Sequence, residues 1–343
     1  MKANPHLLSI DVGSQELVTA TVLATGRIQT MAFSNDAIGH KKLIAHARHC
    51  APRGATIRVG LEATGTYSLE VALVLSRTPG FEVSVINPKT IKNFLRAQGL
   101  RGKTDRIDAA GILRFIEVMP FRPWIAPAAP ILALQSIARR IYQLSAERVR
   151  EHNRLHAIRA HGAAGNIVAK ELLGSISQLK VRMQALISSA KKIIQADPCL
   201  QRKFDLLISV RGIADRSAVL LLGELLVLDP QMKGPQWVAH AGLDPRVRQS
   251  GTSLDGHRYI SKAGNRYIRA ALYMPALVTV RREPAFQAKY AHLVDQRHKH
   301  KMVALIAIMR KLLLCIHGML KTNTPFNPLK LQPLENPSAH VAA

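Results

Sequence analysis

The sequence predicts an α/β domain at the N-terminus, then a long helical arm and a mainly α-helical C-terminal domain. Three observations carry this expectation. Over residues 7–125 short β-rich runs alternate with helical periodicity, which implies a mixed sheet flanked by helices. A proline cluster (Pro120, Pro123, Pro127, Pro130) then interrupts the chain, because proline lacks the backbone donor that helices and sheets need. Beyond it, apolar residues recur at helical spacing, broken first at His161-Gly162-Ala163-Ala164-Gly165-Asn166. The expected divisions are 1–125 for the α/β domain, 126–198 for the arm, 199–322 for the C-terminal domain and 323–343 for a loose, proline-rich tail.

The elements follow in order. Leu7-Leu8-Ser9-Ile10 is a short apolar strand ending in Asp11-Val12-Gly13, where glycine permits a tight exit. Runs at 17–24 and 28–33 are β-rich, and Thr25-Gly26 between them suits a hairpin turn. Residues 37–49 read as a helix and 56–61 as a strand reaching Glu62. A helix over 68–76 leads to a strand over 82–86, which stops at Asn87-Pro88. In the second half of the arm, Leu172, Ile176, Leu179, Met183, Leu186, Ala190 and Ile193 alternate steps of 4 and 3. That is the spacing of a coiled-coil seam, within or between chains; an ordinary amphipathic helix on a core is the other reading. The first half carries Arg139, Arg140, Arg148, Arg150, Arg154 and Arg159 and is a further candidate for nucleic-acid contact.

The charge balance points to a partner. There are 48 Lys+Arg against 22 Asp+Glu, a formal charge of +26 that opposes compaction by self-repulsion. A polyanion relieves it, and nucleic acid is the leading candidate, since neutralising phosphates releases counterions. Cys50, Cys199 and Cys315 are scattered, which excludes a C-x-x-C zinc site or a disulfide framework and fits a reducing cytoplasm. No run approaches the roughly 20 apolar residues of a membrane span. The best, 302–309, meets Arg310 and Lys311 at once. Asp11 arrives too early for a signal peptide, so a cytoplasmic protein without membrane association is expected.

Four acids carry the chemistry. Asp11 and Glu62 each end a predicted strand, and Asp105 and Asp108 share one face of a predicted helix in Lys103-Thr104-Asp105-Arg106-Ile107-Asp108. Singly each has a bland alternative: Asp105 an N-cap, Asp108 a surface partner of Arg106, Glu62 a turn residue. Together, in a basic chain, they suit a site for Mg²⁺ or Mn²⁺, which prefer oxygen ligands and can activate both oxygens of a phosphodiester exchange. The pattern resembles the ribonuclease H-like nucleases, especially the Holliday-junction resolvase (RuvC-like) branch, which implies that fold for the first 120 or so residues. Asp11-Val12-Gly13-Ser14 also looks like the first phosphate loop of actin-like ATPases, but no second glycine-rich loop follows.

Further on, Leu207-Ile208-Ser209-Val210-Arg211-Gly212-Ile213-Ala214 resembles a helix-hairpin-helix turn, with Ala214 in place of its usual second glycine; simple helix packing is the other reading. Between 246 and 269 lie Arg246, Arg248, Arg258, Lys262, Arg266 and Arg269 against one acid, Asp255. This glycine-punctuated basic loop suits phosphate contact, with a solvated loop as the alternative. Lys103 is a further candidate contact beside the acids. A serine among these cations could attack phosphorus, and the residues themselves do not choose among Ser250, Ser253 and Ser261.

Six co-linear motifs resemble one family: Ser9-Ile10-Asp11-Val12-Gly13, Leu61-Glu62-Ala63-Thr64-Gly65, Lys103-Thr104-Asp105-Arg106-Ile107-Asp108-Ala109, Ala241-Gly242-Leu243-Asp244-Pro245, Gln249-Ser250-Gly251 and Ile260-Ser261-Lys262-Ala263-Gly264-Asn265. They are similar to the DEDD transposases of the IS110 family of bacterial insertion sequences. The resemblance implies that Asp11, Glu62, Asp105 and Asp108 bind Mg²⁺ or Mn²⁺ and that Ser250 is the nucleophile, forming a covalent phosphoserine link to DNA. It further implies strand exchange between donor and target DNA, a structured guide RNA (the bridge RNA), assembly as a dimer or tetramer, and a bacterial, nucleoid-associated setting. A regulator that binds nucleic acid without cutting it, and a resolvase-like nuclease, are the alternatives.

Overall fold

The computed structural model describes residues 4–99, 104–246 and 259–331. The chain divides into two compact units, Met1–Ala126 and Pro127–Ala343.

In the first unit β1 (His6–Val12), β2 (Glu16–Val22), β3 (Ile28–Ser34), β4 (Ile57–Glu62) and β5 (Phe81–Ile86) form one sheet in the order β3-β2-β1-β4-β5. The β1–β2 and β2–β3 pairs are antiparallel, and β1–β4 and β4–β5 are parallel. The predicted mixed sheet is therefore present. Its helices follow from local signals. Asp36 caps α1 (Ala37–Cys50) by accepting from the backbone of Ile38 and Gly39. The short apolar α2 (Tyr67–Ser76) follows β4. Asn87 caps α3 (Pro88–Ala97), with proline at its first position, a start signal that the sequence reading took only as the end of a strand.

Leu8, Ile10, Val59 and Leu61 share one buried cluster with Leu43, Val71 and Leu75 of α1 and α2. Val18, Ala20 and Ile86 cluster on the opposite face with Ile91 of α3 and Ile112 and Ile116 of α4 (Asp105–Val118). The central strands are covered on both faces, so they read as nearly continuous apolar runs.

Apart from the Pro245–Ile260 bridge, the regular elements of the second unit's described residues are all helices. α5 (Ala129–Arg159) and α6 (Asn166–Gln195) form a long hairpin through a 3₁₀ turn at Gly162–Gly165. Leu144, Leu179 and Met183 pack within its outer part. Leu134, Ile141, Ile187, Ala190 and Ile194 belong to the core of the rest of the unit. The buried stripe of α6 is Leu172, Leu179, Met183, Ile187, Ala190 and Ile194, so it leaves the strict heptad after Met183. A straight α-helix drifts about 20° per heptad, which moves burial from Leu186 and Ile193 onto Ile187 and Ile194.

Around this base lie α7 (Pro198–Ile208), α8 (Asp215–Leu225), α9 (Gly234–His240), α10 (Arg266–Arg282), α11 (Pro284–Ala291) and α12 (Lys301–Thr322). At Gly212 (φ +123°) a Cβ would come within 2.9 Å of the Thr279 backbone nitrogen, so the α7–α8 turn presses on α10. Two expectations are corrected. α12 is long and apolar enough, by length and composition, to cross a membrane. Its Leu305, Ile308, Leu312, Leu313 and Ile316 are instead buried in this unit's core, and the charges at Arg310 and Lys311 do not interrupt the helix. The expected tail is also docked at its beginning: Phe326 stacks on Phe286 at 5.9 Å, its backbone N–H donates to Ser209 Oγ, and Leu331 is buried. Apolar area at Phe326 and Leu331 outweighs the irregularity that prolines impose.

Candidate active site and nucleic-acid interface

The acid site is built on one face of the sheet. Parallel pairing aligns Ile10 with Leu61, which sets Asp11 and Glu62 side by side at the ends of β1 and β4. Alternation along each strand turns Ser9 and Asp11, Gly60 and Glu62, toward α4. Ser9 Oγ donates to the Ala109 carbonyl at 2.7 Å inside the protein, fastening α4 to β1. A Cβ on Gly60 would come within 2.5 Å of Ile116 Cγ2, so glycine there lets α4 lie close. Thr104, rather than Asp105, caps α4: its hydroxyl accepts from the Ile107 N–H at 3.3 Å. Asp105 and Asp108 occupy the first turn, where the helix dipole favours carboxylates.

The charges converge on Asp11. Burial, then the carboxylates of Asp108, Asp105 and Glu62, raise its pKa from 3.8 to about 6. Among the described residues no three His, Cys, Asp or Glu side chains lie close enough, as they stand, to hold an ion. The donors are all hard oxygens, the kind Mg²⁺ and Mn²⁺ take, and a cation is what would relieve the charge gathered around Asp11. Beside the site a cleft of about 370 Å³ is lined by Glu16, Thr30, Asp105 and Arg106, among others.

Two residues that the sequence reading missed support these strand ends. Asn35 Nδ2 donates to the carbonyls of Gly13 (2.9 Å) and Tyr67 (3.2 Å), joining the turn after Asp11 to the start of α2. Its Oδ1 accepts from His40 Nε2 at 2.9 Å. His40 is almost fully buried and burial lowers its pKa, so the neutral imidazole is the form that donates. Asn35→Ala is expected to loosen both strand ends and lower DNA cleavage about 10- to 100-fold, the scale of lost support around a metal site. Rates measured across a Mg²⁺ titration test this; an unchanged rate and Mg²⁺ dependence would remove the supporting role.

In the second unit a neck of paired backbone brackets residues 247–258. The Arg246 N–H donates to the Tyr259 carbonyl, Ser261 to Asp244, Lys262 to Gly242 and Asn265 to His240, at 2.7–3.1 Å. Gly264 is in such close contact that a Cβ would lie 2.2 Å from the His240 carbonyl oxygen. Ser261 Oγ donates to Asp244 Oδ1 at 2.6 Å and accepts from the Ala263 N–H, so its hydroxyl ties the neck together. Arg269 is likewise engaged, donating to the carbonyls of Ala241 and Gly264. Arg246, Lys262 and Arg266 are exposed, and Arg266 lies over the rings of Tyr267 and Tyr142. Ser250, Ser253, Arg248, Arg258 and Lys103 lie outside the described residues.

Two family profiles match this chain. One, described as a DEDD transposase of IS110, covers residues 8–158. The other, the transposase IS116/IS110/IS902 family, covers residues 204–291. The chain belongs to the IS110 family of transposases. The first match contains all four acids and the second contains the neck with the 247–258 segment. IS110-family membership makes the chain a DNA-recombination protein with DNA as its substrate.

Curated relatives agree. The chain is 28% identical over 324 residues to the "Pilin gene-inverting protein" of Moraxella bovis, covering 93% of this chain and 97% of that one. It is 28% identical over 303 residues to the protein of the same name from Moraxella lacunata, covering 87% and 91%. It is also 24% identical over 159 residues to an uncharacterized 43.6 kDa protein of insertion element IS110 in Streptomyces coelicolor, covering 46% and 38%.

Proposed function

We propose that this chain is a metal-dependent DNA transposase that cuts and rejoins strands through a covalent serine–DNA intermediate. The observation that carries the reading is the gathering of Asp11 and Glu62 at two strand ends with Asp105 and Asp108 of α4, where burial first and then the neighbouring carboxylates raise Asp11 to about 6. In it the first unit is a ribonuclease H-like, RuvC-like domain, consistent with its β3-β2-β1-β4-β5 order and its flanking helices. The four carboxylates hold Mg²⁺ or Mn²⁺, which supplies charge neutralisation at the reacting phosphate when bound.

Ser250 is the nucleophile in this reading. Its Oγ forms a bond to phosphorus and loses its proton, while the scissile P–O bond breaks and the deoxyribose oxygen leaves as a hydroxyl. The phosphodiester energy is retained, so the reverse step rejoins DNA. Arg246, Lys262 and Arg266, exposed around the neck, hold the DNA backbone, with Arg248 and Lys103 as further contacts. Support for rejoining over simple hydrolysis comes from the two relatives named for gene inversion, an outcome that needs both steps. A structured bridge RNA as guide, a dimer or tetramer in which arms of neighbouring subunits meet, and a bacterial cytoplasmic, nucleoid-associated setting complete the proposal.

The test is to incubate the protein with element-end DNA, Mg²⁺ and RNA transcribed from the flanking noncoding DNA, then map any covalent adduct by mass spectrometry. A phosphodiester link at Ser250 is expected. Mapping to Ser253 or Ser261 would reassign the nucleophile, and cleaved DNA without an adduct would make this a resolvase-like nuclease.

A further inference from the structure

Two arginines in the second unit carry positive charge into a partly buried place where, among the described residues, no carboxylate pairs with them. Ser145 and Arg148 lie three residues apart on α5, hence on one face, where α5 crosses α8. Arg216, in the first turn of α8, donates from Nη2 to Ser145 Oγ at 2.7 Å. Arg148 Nε is fully buried and has no hydrogen-bond partner. Among the described residues neither arginine has an ion pair. Asp215, next to Arg216, is taken by Lys191 at 2.6 Å. On α5, Glu147 lies beside Arg140 and Glu151 beside Arg154.

This arrangement is costly as it stands. Burial, and then the charge of Arg148, disfavour the charged form of Arg216. Buried donors are nearly always satisfied, and like charges out of water repel strongly. An oxyanion would relieve the repulsion between the two guanidiniums, whose forks match phosphate oxygens. The start of α8 adds to the attraction, since Ala214 offers no side-chain cap and leaves backbone N–H groups at the positive end of the helix. This is also the turn whose sequence resembles a phosphate-presenting hairpin.

We propose that Arg148, Arg216 and Ser145 form a notch that binds one backbone phosphate of DNA. The notch rests on the DNA-recombination reading only for the identity of its anion. It would anchor the duplex against the base of the α5–α6 hairpin and contribute affinity without sequence preference.

The decisive variant is Arg148→Met, which keeps the length of the side chain and removes its charge. Three readouts are taken on the full-length protein. First, inorganic sulfate should raise the thermal midpoint of the wild type and raise that of the variant clearly less. Second, without anions the variant should unfold at a higher temperature than the wild type, because an unpaired buried charge is gone. Third, its affinity for duplex DNA should fall about five- to tenfold near 0.1 M salt, with the slope of log affinity against log salt reduced by about 1. Arg216→Lys, which keeps the charge but loses the fork, should show a smaller loss of affinity and guards against a folding defect in the first variant.

Equal sulfate shifts and an unchanged salt slope would overturn the notch, as would a variant that is less stable and binds DNA normally. Lost affinity for folded RNA with duplex DNA unaffected would overturn the assignment to DNA. Because cleavage is not the readout, failure of the catalytic reading leaves all three measurements meaningful.

Discussion

Asp11→Asn is expected to slow DNA cleavage at least about a thousandfold, about 4 kcal/mol of barrier, while making the metal-free protein more stable above pH 6. The two effects share one cause. Burial of Asp11, and then the charges of Asp108, Asp105 and Glu62, push its pKa from 3.8 to about 6. The native protein therefore holds a proton on Asp11 between about pH 4 and 6 that an unfolded chain has released. Stability falls as pH rises through that window, and above it the ionised carboxylate is a net cost. For this half-buried group the cost is about 1–2 kcal/mol once solvent screening is allowed for. Asparagine removes the cost together with the ligand. In thermal scans from pH 5 to 8 the wild type should lose several degrees that the variant keeps, and Mg²⁺ should restore them only to the wild type. Wild-type cleavage by the variant would sink the metal reading. Parallel pH curves would instead show that the Asp11 pKa is not raised in the folded protein.

The second large effect is on folding. Glu224 is 1% exposed, near the C-terminal end of α8 and within an otherwise apolar run. It accepts from Arg139 Nε at 2.7 Å and Nη2 at 3.3 Å, and from Asn265 Nδ2 at 2.7 Å. Asn265 in turn caps α10 by accepting from Tyr267 and Ile268. One carboxylate thus joins α5, α8 and the last residue of the neck. Glu224→Ala should destabilise the second unit by about 3 kcal/mol, the low end for breaking a buried pair because Arg139 still reaches water. The change strands a guanidinium and an amide, and weakens a cap worth about 1 kcal/mol. Calorimetry should show the transition of the second unit moving while that of the first stays in place. Glu224→Gln should fall between the wild type and Glu224→Ala, since an amide offers one acceptor oxygen where the carboxylate uses two. Replacing Arg139 and Glu224 together by apolar residues should recover much of the loss; no recovery would mean that the carboxylate acts through packing instead.

Much of the first unit was legible in the sequence. Strand runs, the hairpin turn and the D-x-x-D spacing are short-range signals, with periods of 2 and about 3.6 residues, and the four acids could be picked out before any pairing was known. The resemblance carried by six motifs is borne out by the family matches. Legibility fails where the deciding partner is distant. That Gly60 must be glycine under Ile116 and that Asn35 ties Gly13 to Tyr67 are both settled by contacts between separate elements. The lone Glu224 in a run of leucines was a visible signal without a visible partner.

The acids, then, were determined by local pattern, because a strand end and a helix face are specified within a few residues. Tertiary structure decided what surrounds them and which cations remain available. Arg269 is drawn into the neck, Arg139 is bound to Glu224 across 85 residues of sequence, and Arg148 Nε is buried without a hydrogen-bond partner among the described residues. No local periodicity records such outcomes, since the fate of a charge depends on which opposite charge the fold brings within a few ångströms.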